Sequence, residues 1–241
     1  MTRAFVFPGQ GSQAVGMGQE LAAAFPVARH LLEEVDDALE QNLSRLMAQG
    51  PADELTLTEN AQPALMAVSL AVVRVLEAEA GIDIETSCKY VAGHSLGEYS
   101  ALAAARSLDV ADAARLLKLR GQSMQHAVPI GVGAMAALLG AELDQAREIA
   151  ADAAENEVCE TANDNATGQI VISGHKTAVD RAIELSKERG IRRAIELPVS
   201  APFHCSLMQP AADIMEKALG EIDLRRPVVP VIANVTAAEA Y

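Results

Sequence analysis

The feature that most constrains the fold is the five-residue turn Gly93-His94-Ser95-Leu96-Gly97, which lies between two apolar segments. Before it, Tyr90 to Gly93 has the length and composition of a short buried strand. After it, Leu96 to Arg106 consists of small and apolar helix formers. A strand that turns sharply into a helix predicts an α/β fold. Ala4 to Phe7 predicts another short buried strand, ended by the turn residues 8–13. Residues 58–63 predict a loop, and Ala64 to Ala80 predicts a helix that ends at Gly81.

The composition is that of a folded, acidic protein. Half of the 241 residues are hydrophobic and 22% are charged, which is ordinary for a globular chain and excludes disorder as its main state. The length corresponds to one or two domains. The formal net charge of −14 disfavours binding to nucleic acid or to an anionic membrane through the overall electrostatic field.

The sequence also gives little support to a membrane or metal-binding protein. The longest apolar stretch, Ala61 to Val73, is interrupted by polar residues and is too short to span a bilayer. The N-terminus has no apolar segment of signal-peptide length. Cys88, Cys159 and Cys205 are far apart and form no C-x-x-C pair. These observations predict a cytoplasmic protein with reduced thiols and no zinc site.

The second half of the chain has a different order of elements. Apolar patterning predicts β-α-β-β-α-β, the ferredoxin-like order, within about 70 residues. Glycine or proline residues lie at both ends of this region. We therefore expect a ferredoxin-like domain, residues 129–199, inserted into a larger α/β domain that comprises residues 1–128 and 200–241. The predicted elements are strands 134–139, 158–162, 169–173 and 194–198 and helices 143–154 and 177–189.

The turn after the second strand fits G-x-S-x-G, which would expose the Ser95 hydroxyl beside the N-terminus of a helix. Free N–H groups there can stabilise an oxyanion. A serine nucleophile also needs a base. Of the five histidines, His204 lies where the chain re-enters the large domain and can face a cleft, but a structural histidine is the alternative. The other four are His30, His94, His126 and His175.

Two further features each allow more than one interpretation. Arg120 lies among apolar residues on a predicted helix. Its side chain can extend to solvent, or its planar guanidinium can bind a carboxylate through two hydrogen bonds. Residues 9–14 satisfy the dinucleotide pattern G-x-G-x-x-A. However, the acidic residues about 20 positions later, Glu33 and Glu34, fall within a helical pattern and not at the end of a strand. We therefore do not expect a dinucleotide site.

Taken together, the motifs resemble those of the malonyl-CoA:acyl carrier protein transacylase family, the stand-alone enzymes that load malonyl units for fatty-acid synthesis. The matching segments follow the family's order along almost the whole chain. They are residues 7–13 (FPGQGSQ), 60–64 (NAQPA), 93–99 (GHSLGEY), 119–121 (LRG), 162–165 (ANDN) and 202–204 (PFH). The resemblance implies an α/β fold with a large α/β-hydrolase-like domain, a parallel-sheet core and the inserted ferredoxin-like domain.

The resemblance also implies a role for each candidate residue. Ser95 would accept the malonyl group as an ester, and His204 would act first as base and then as acid. The backbone N–H groups of Gln10 and Leu96 would form the oxyanion hole. Arg120 would bind the malonyl carboxylate. Asn163 corresponds to a family position near the acyl pocket.

The implied partners are malonyl-CoA and acyl carrier protein. The resemblance implies no cofactor beyond the coenzyme A that the substrate carries, no metal, a monomer and a cytoplasmic location. Family members generally continue for several tens of residues beyond the position of Tyr241, including a glutamine that orients the catalytic histidine. We therefore expect the chain to be truncated. Phe203 replaces a smaller family residue and would narrow the pocket beside His204.

Two alternatives belong to other functional classes. A serine esterase or thioesterase of the α/β-hydrolase type would share G-x-S-x-G but needs an acidic residue between the serine and the histidine. Asp180 is a candidate, although it falls in the middle of a predicted helix of the insert. An inactive fragment that only binds carrier protein is the second alternative.

Overall fold

The chain divides into two units, each with its own sheet. The computed structural model describes residues 3–199 and 201–241. The large unit comprises Met1–Gln122 and Lys217–Tyr241, and the small unit comprises Ser123–Glu216. The predicted insert, residues 129–199, lies inside the small unit, which extends beyond it at both ends.

The large unit contains a mixed sheet of four short strands in the order β1-β2-β7-β8. β1, β2 and β7 are parallel, and β8 pairs with β7 in the antiparallel direction. The register aligns Phe7 with Gly93, so β1 and β2 end together. The strands are β1 (Ala4–Phe7), β2 (Tyr90–Gly93), β7 (Val231–Ile232) and β8 (Glu239–Ala240).

The prediction that β1 is a short buried strand is only partly confirmed. Phe7 is buried, whereas Val6 is 74% exposed. Successive side chains of a strand point to opposite faces of the sheet. Within the large unit, helix α7 (Gly97–Ala104) contacts both β1 and β2. The apolar composition of β1 therefore does not distinguish its buried face from its exposed face.

Helices supply most of the core of the large unit. In α2 (Pro26–Leu39), the buried residues Ala28, Leu31, Leu32 and Val35 recur at helical spacing and form one face, and the helix packs against α5. The helices are α1 (Gln19–Ala24), α2, α3 (Leu43–Gln49), α4 (Ala52–Thr56), α5 (Thr58–Ala80), α6 (Ile84–Ser87), α7, α8 (Val110–His126), which ends in the small unit, and α11 (Gln209–Gly220), which begins there.

Helix α5 begins six residues earlier than the sequence indicated. Residues 58–63 were predicted to be a loop because they are polar and include Pro63, but they form the first turns of α5. Asn60 and Gln62 are almost fully buried and accept hydrogen bonds from Lys118 and Arg120 of α8. Among the described residues, α5 alone has the length and apolar composition of a membrane span. However, 56% of that apolar window is buried in the protein.

The small unit has the element order β-α-β-β-α-β. Its four strands are antiparallel in the order β4-β5-β3-β6. One face of the sheet buries Leu138, Ile170 and Ile172 with Ile149 and Val179 of the two helices. The elements are β3 (Gly133–Leu139), α9 (Leu143–Ala154), β4 (Cys159–Ala166), β5 (Gln169–His175), α10 (Lys176–Glu188) and β6 (Arg193–Glu196), followed by a 3₁₀ helix (Ser206–Met208).

Candidate active site

Ser95 occupies the predicted turn between β2 and α7. Its φ of 52° is in the left-handed region, which non-glycine residues rarely adopt and which occurs in strained functional turns. The turn is anchored on both sides, since His94 N–H donates to Phe7 O (3.0 Å) and Gly97 N–H donates to His94 O (2.9 Å). The serine therefore lies at the carboxyl ends of two parallel strands.

The two glycines of the motif are required by close backbone contacts. A Cβ at Gly93 would overlap the carbonyl group of Gly97, and one at Gly97 would overlap the carbonyl oxygens of Phe7 and Pro8. Any larger residue would push the helix away from the strand ends. The glycines thus allow the start of α7 to lie directly against the loop that follows β1.

Arg120 of α8 contacts Ser95 directly. Its Nη2 donates to Ser95 Oγ (3.0 Å), and its Nη1 donates to Gln62 Oε1 (2.8 Å). The guanidinium carbon lies 5.8 Å from the centre of the Tyr99 ring, within cation–π range. Burial lowers the pKa of Arg120, while Tyr99 and Glu98 oppose that shift. A guanidinium nevertheless remains a cation in proteins.

No carboxylate of the described residues forms an ion pair with Arg120. The acidic residue on the facing helix, Glu59, pairs with Lys118 (3.2 Å) and also accepts a hydrogen bond from Gln122 Nε2 (2.9 Å). Within the part of the chain that the structure describes, the Arg120 guanidinium contacts three neutral groups: an amide, a hydroxyl and an aromatic ring. A partly buried cation with neutral partners is suited to an anionic ligand.

Several contacts between α8 and α5 hold Arg120 in place. Gly121 lies so close to α5 that a Cβ there would approach Glu59 Cα to 2.5 Å. Lys118 Nζ also donates to Asn60 Oδ1 (2.9 Å). Gln62 itself is only 1% exposed. The orientation of the guanidinium is therefore set by helix packing.

The predicted oxyanion donors lie on adjoining segments. Leu96 immediately precedes α7, and Gln10 follows the Phe7–Pro8 segment that contacts Gly97. Within the described residues, neither the Gln10 nor the Leu96 backbone N–H has a recorded acceptor. The Gln10 side chain donates to Thr58 Oγ1 (3.4 Å), which ties this loop to α5.

The remaining two predicted residues belong to the small unit. Asn163 is on β4, beside a register shift in its pairing with β5. His204 has a φ of 62° and lies in the segment before the 3₁₀ helix. Glu160 of β4 holds this segment by accepting hydrogen bonds from Ser206 N–H (2.9 Å) and Ser206 Oγ (2.7 Å).

Sequence reasoning missed three residues that contact the site in the large unit. Gln62 accepts a hydrogen bond from Arg120, and the Tyr99 ring lies beside the guanidinium. Asn234 accepts a hydrogen bond from the Ser95 backbone N–H. Gln62 and Tyr99 fall within motifs that had been noted, NAQPA and GHSLGEY, but nothing in the sequence indicated Asn234. Asp180, the acidic candidate of the hydrolase alternative, is engaged by Lys176 Nζ (3.0 Å) on α10 of the small unit.

Known proteins are similar to this chain along nearly its whole length. The family model described as acyl transferase domain matches residues 4–240. The malonyl CoA-acyl carrier protein transacylase of Escherichia coli K12 is 48% identical over 232 residues, which cover 96% of this chain and 74% of the relative.

The chain belongs to the malonyl CoA-acyl carrier protein transacylase family.

Solved structures of family members have the same fold. The acyl-carrier-protein S-malonyltransferase of Bartonella henselae is 55% identical, with a TM-score of 0.96 over 100% of this chain and 76% of that one. A malonyl-transacylase solved in complex with its type II polyketide acyl carrier protein is 43% identical, with a TM-score of 0.95 and the same coverage. The mixed α/β fold with a sheet that contains parallel strands is therefore a property of the family.

Proposed function

We propose that this protein transfers a malonyl group from malonyl-CoA to the phosphopantetheine thiol of acyl carrier protein, through an ester on Ser95. The contact between Arg120 and Ser95 Oγ (3.0 Å) carries the proposal, together with membership of the family. In malonyl-CoA the carboxylate is one methylene away from the thioester carbonyl. A guanidinium beside the nucleophile can bind that carboxylate while the carbonyl reacts.

In the first half-reaction, Ser95 Oγ attacks the thioester carbonyl and its proton passes to His204. A bond forms between Oγ and the carbonyl carbon, the carbon–sulfur bond breaks, and the proton passes from His204 to the coenzyme A thiolate. The Gln10 and Leu96 N–H groups would stabilise the oxyanion. Arg120 would exchange its bond to Ser95 Oγ for bonds to the malonyl carboxylate.

In the second half-reaction, the thiol of the carrier protein attacks the ester carbonyl. His204 takes the thiol proton, the ester bond breaks, and the proton returns to Ser95 Oγ. Asn163 is assigned to the acyl pocket by the resemblance alone. The sequence of steps uses only residues of the chain and the coenzyme A that the substrate brings, so we expect no resident cofactor.

We also propose a finer description of the architecture. The large unit would be an α/β-hydrolase-like domain, a description favoured by the strand–Ser95–helix turn. The small unit would contain a ferredoxin-like insert, residues 129–199, favoured by the β-α-β-β-α-β order and its antiparallel pairing. A cytoplasmic monomer that acts on malonyl-CoA and acyl carrier protein remains our expectation.

Intact-mass spectrometry after mixing the protein with malonyl-CoA tests the proposal. We expect one malonyl adduct that is absent from the Ser95→Ala variant and that disappears when holo-acyl carrier protein is added. The carrier protein should gain the same mass. Ser123→Ala is the matched control, since Ser123 is a buried serine near the end of α8 that has no assigned role.

The outcomes separate the competing functions. An undiminished adduct on Ser95→Ala would refute the nucleophile assignment. Release of free malonate without any carrier thiol would instead indicate a hydrolase. A protein that binds carrier protein but forms no adduct would support the non-catalytic alternative.

A further inference from the structure

Asn234, which follows β7, bonds to both sides of the nucleophile turn. Its Oδ1 accepts a hydrogen bond from Ser95 N–H (2.8 Å), and its Nδ2 donates to Gly93 O (2.6 Å). Its own backbone N–H donates to Glu98 Oε2 (3.0 Å). One residue thus contacts the end of β2, the nucleophile and the first turn of α7.

These bonds hold a part of the backbone whose conformation is rare for residues other than glycine. Ser95 has a left-handed φ of 52°, and such a conformation persists only where surrounding contacts determine it. The bonds from Asn234 satisfy the Ser95 N–H and the Gly93 carbonyl, the two peptide groups that flank His94. An amide side chain is suited to this task because it has a donor and an acceptor side by side.

We infer that Asn234 is a positioning residue that holds the Ser95 turn in its reactive conformation. Asn234 would act through Ser95 and not on the acyl group. The bonds fix where Ser95 Oγ lies relative to Arg120, whose Nη2 is 3.0 Å away, and how the Leu96 N–H that follows is directed. The inference rests on the proposed function, since that function makes Ser95 the nucleophile.

Two substitutions at Asn234 test the inference. Asn234→Ala removes both side-chain bonds. Asn234→Asp preserves the size and the acceptor for Ser95 N–H but, when ionised, loses the donor to Gly93 O. We expect the rate constant for acylation at saturating malonyl-CoA to fall by about 100-fold in each variant, as for comparable displacements of reacting groups. The KM for malonyl-CoA should stay within about threefold, because the contact between Arg120 and Gln62 is intact.

Matched controls separate positioning from a general loss of stability. Asn42→Ala removes another asparagine of the large unit whose side chain caps a helix, by accepting from Arg45 N–H (3.1 Å). Val235→Ala changes the next residue, which is 93% exposed. Both variants should acylate at the rate of the unchanged protein. Rates are expressed per folded molecule, with the folded fraction taken from thermal unfolding.

A neutral sulfonyl fluoride, which sulfonylates an activated serine with loss of fluoride, provides a second readout that does not involve the malonyl carboxylate. The Asn234 variants should react more slowly with it at Ser95 as well. Acylation and sulfonylation of folded Asn234→Ala at unchanged rates would overturn the inference. If the unchanged protein reacts with the sulfonyl fluoride but not with malonyl-CoA, the proposed function fails, and the sulfonylation rates still decide the role of Asn234. If it reacts with neither, both are refuted.

Discussion

Replacing Arg120 with alanine should remove most of the preference for malonyl-CoA over acetyl-CoA. Among the described residues, the guanidinium contacts neutral groups: Gln62 Oε1 at 2.8 Å, Ser95 Oγ at 3.0 Å and the Tyr99 ring. The malonyl carboxylate would provide its ionic partner. Truncating one member of such a buried pair costs about 2–5 kcal/mol. Taking about 3–4 kcal/mol, kcat/KM for malonyl-CoA should fall by roughly 10²–10³, since about 1.4 kcal/mol corresponds to a factor of ten.

Acetyl-CoA should respond differently, because its acyl group has no carboxylate. When acetyl occupies the site, the guanidinium is left without an ionic partner, and that penalty disappears in Arg120→Ala. The value of kcat/KM for acetyl-CoA should therefore remain unchanged or rise. The assay is the transfer of each acyl group to holo-acyl carrier protein, followed by mass spectrometry under initial-rate conditions.

Two variants act as references for this experiment. Arg115→Ala removes an arginine of the same helix that is exposed and pairs with Asp112 (3.0 Å), and it should leave the malonyl-to-acetyl ratio unchanged. Arg120→Lys keeps the positive charge but loses the planar guanidinium, and it should give an intermediate malonyl-to-acetyl ratio. An unchanged malonyl-to-acetyl ratio in folded Arg120→Ala would refute the proposed role of Arg120. An equal fall of this ratio in Arg115→Ala would also refute it.

Three other predictions follow from the same geometry. Succinyl-CoA should be a poor acyl donor, because Arg120 Nη2 lies 3.0 Å from Ser95 Oγ and a longer acyl chain misplaces its carboxylate. Transfer of succinyl at a rate near that of malonyl would contradict this prediction. Gly121→Ala should destabilise the protein by about 1–3 kcal/mol, because the added Cβ overlaps α5, and should lower Tm by several degrees. Gly220→Ala, whose Cβ would meet no atom within 4 Å, should not lower Tm, and equal Tm values for the two variants would exclude the packing argument. Burial raises the pKa of the Cys159 thiol to about 11, so only about one thiol in a thousand is ionised at pH 8. Iodoacetamide should therefore leave Cys159 unmodified in the folded protein and alkylate it in urea, as measured by peptide mass spectrometry, and equal rates in the two states would disprove the shift.

Local patterns predicted much of the fold because they report contacts that are close in sequence. The helix predicted at 143–154 is found as Leu143–Ala154, and β1 begins and ends at the predicted residues. The turn around Ser95 was likewise identified by two glycines within five residues, although Gly97 also packs against the carbonyl oxygens of Phe7 and Pro8. In each case the pattern that predicted the element lies within one short segment of the sequence.

The contacts that complete the site were not predictable in this way. Gln62 and Arg120 are 58 positions apart, and Asn234 and Ser95 are 139 positions apart. No periodicity relates such residues, so only the folded backbone shows that they meet. Residues 58–63 were misassigned for a related reason. Polar side chains usually indicate a loop, but here they are buried because they bond to groups on other helices.

Several long-range contacts also occupy the acidic residues near Arg120. Glu59 lies in the first turn of α5 and Glu98 in the first turn of α7, and either would satisfy the guanidinium if it formed an ion pair. Glu59 is instead held by Lys118 and Gln122, and Glu98 accepts a hydrogen bond from the Asn234 backbone. Because these two acids have other partners, Arg120 is held by neutral groups and, among the residues that the structure describes, has no paired carboxylate to displace. The proposed selectivity for an acyl group with a carboxylate would therefore depend on Lys118, which pairs with Glu59, as well as on Arg120.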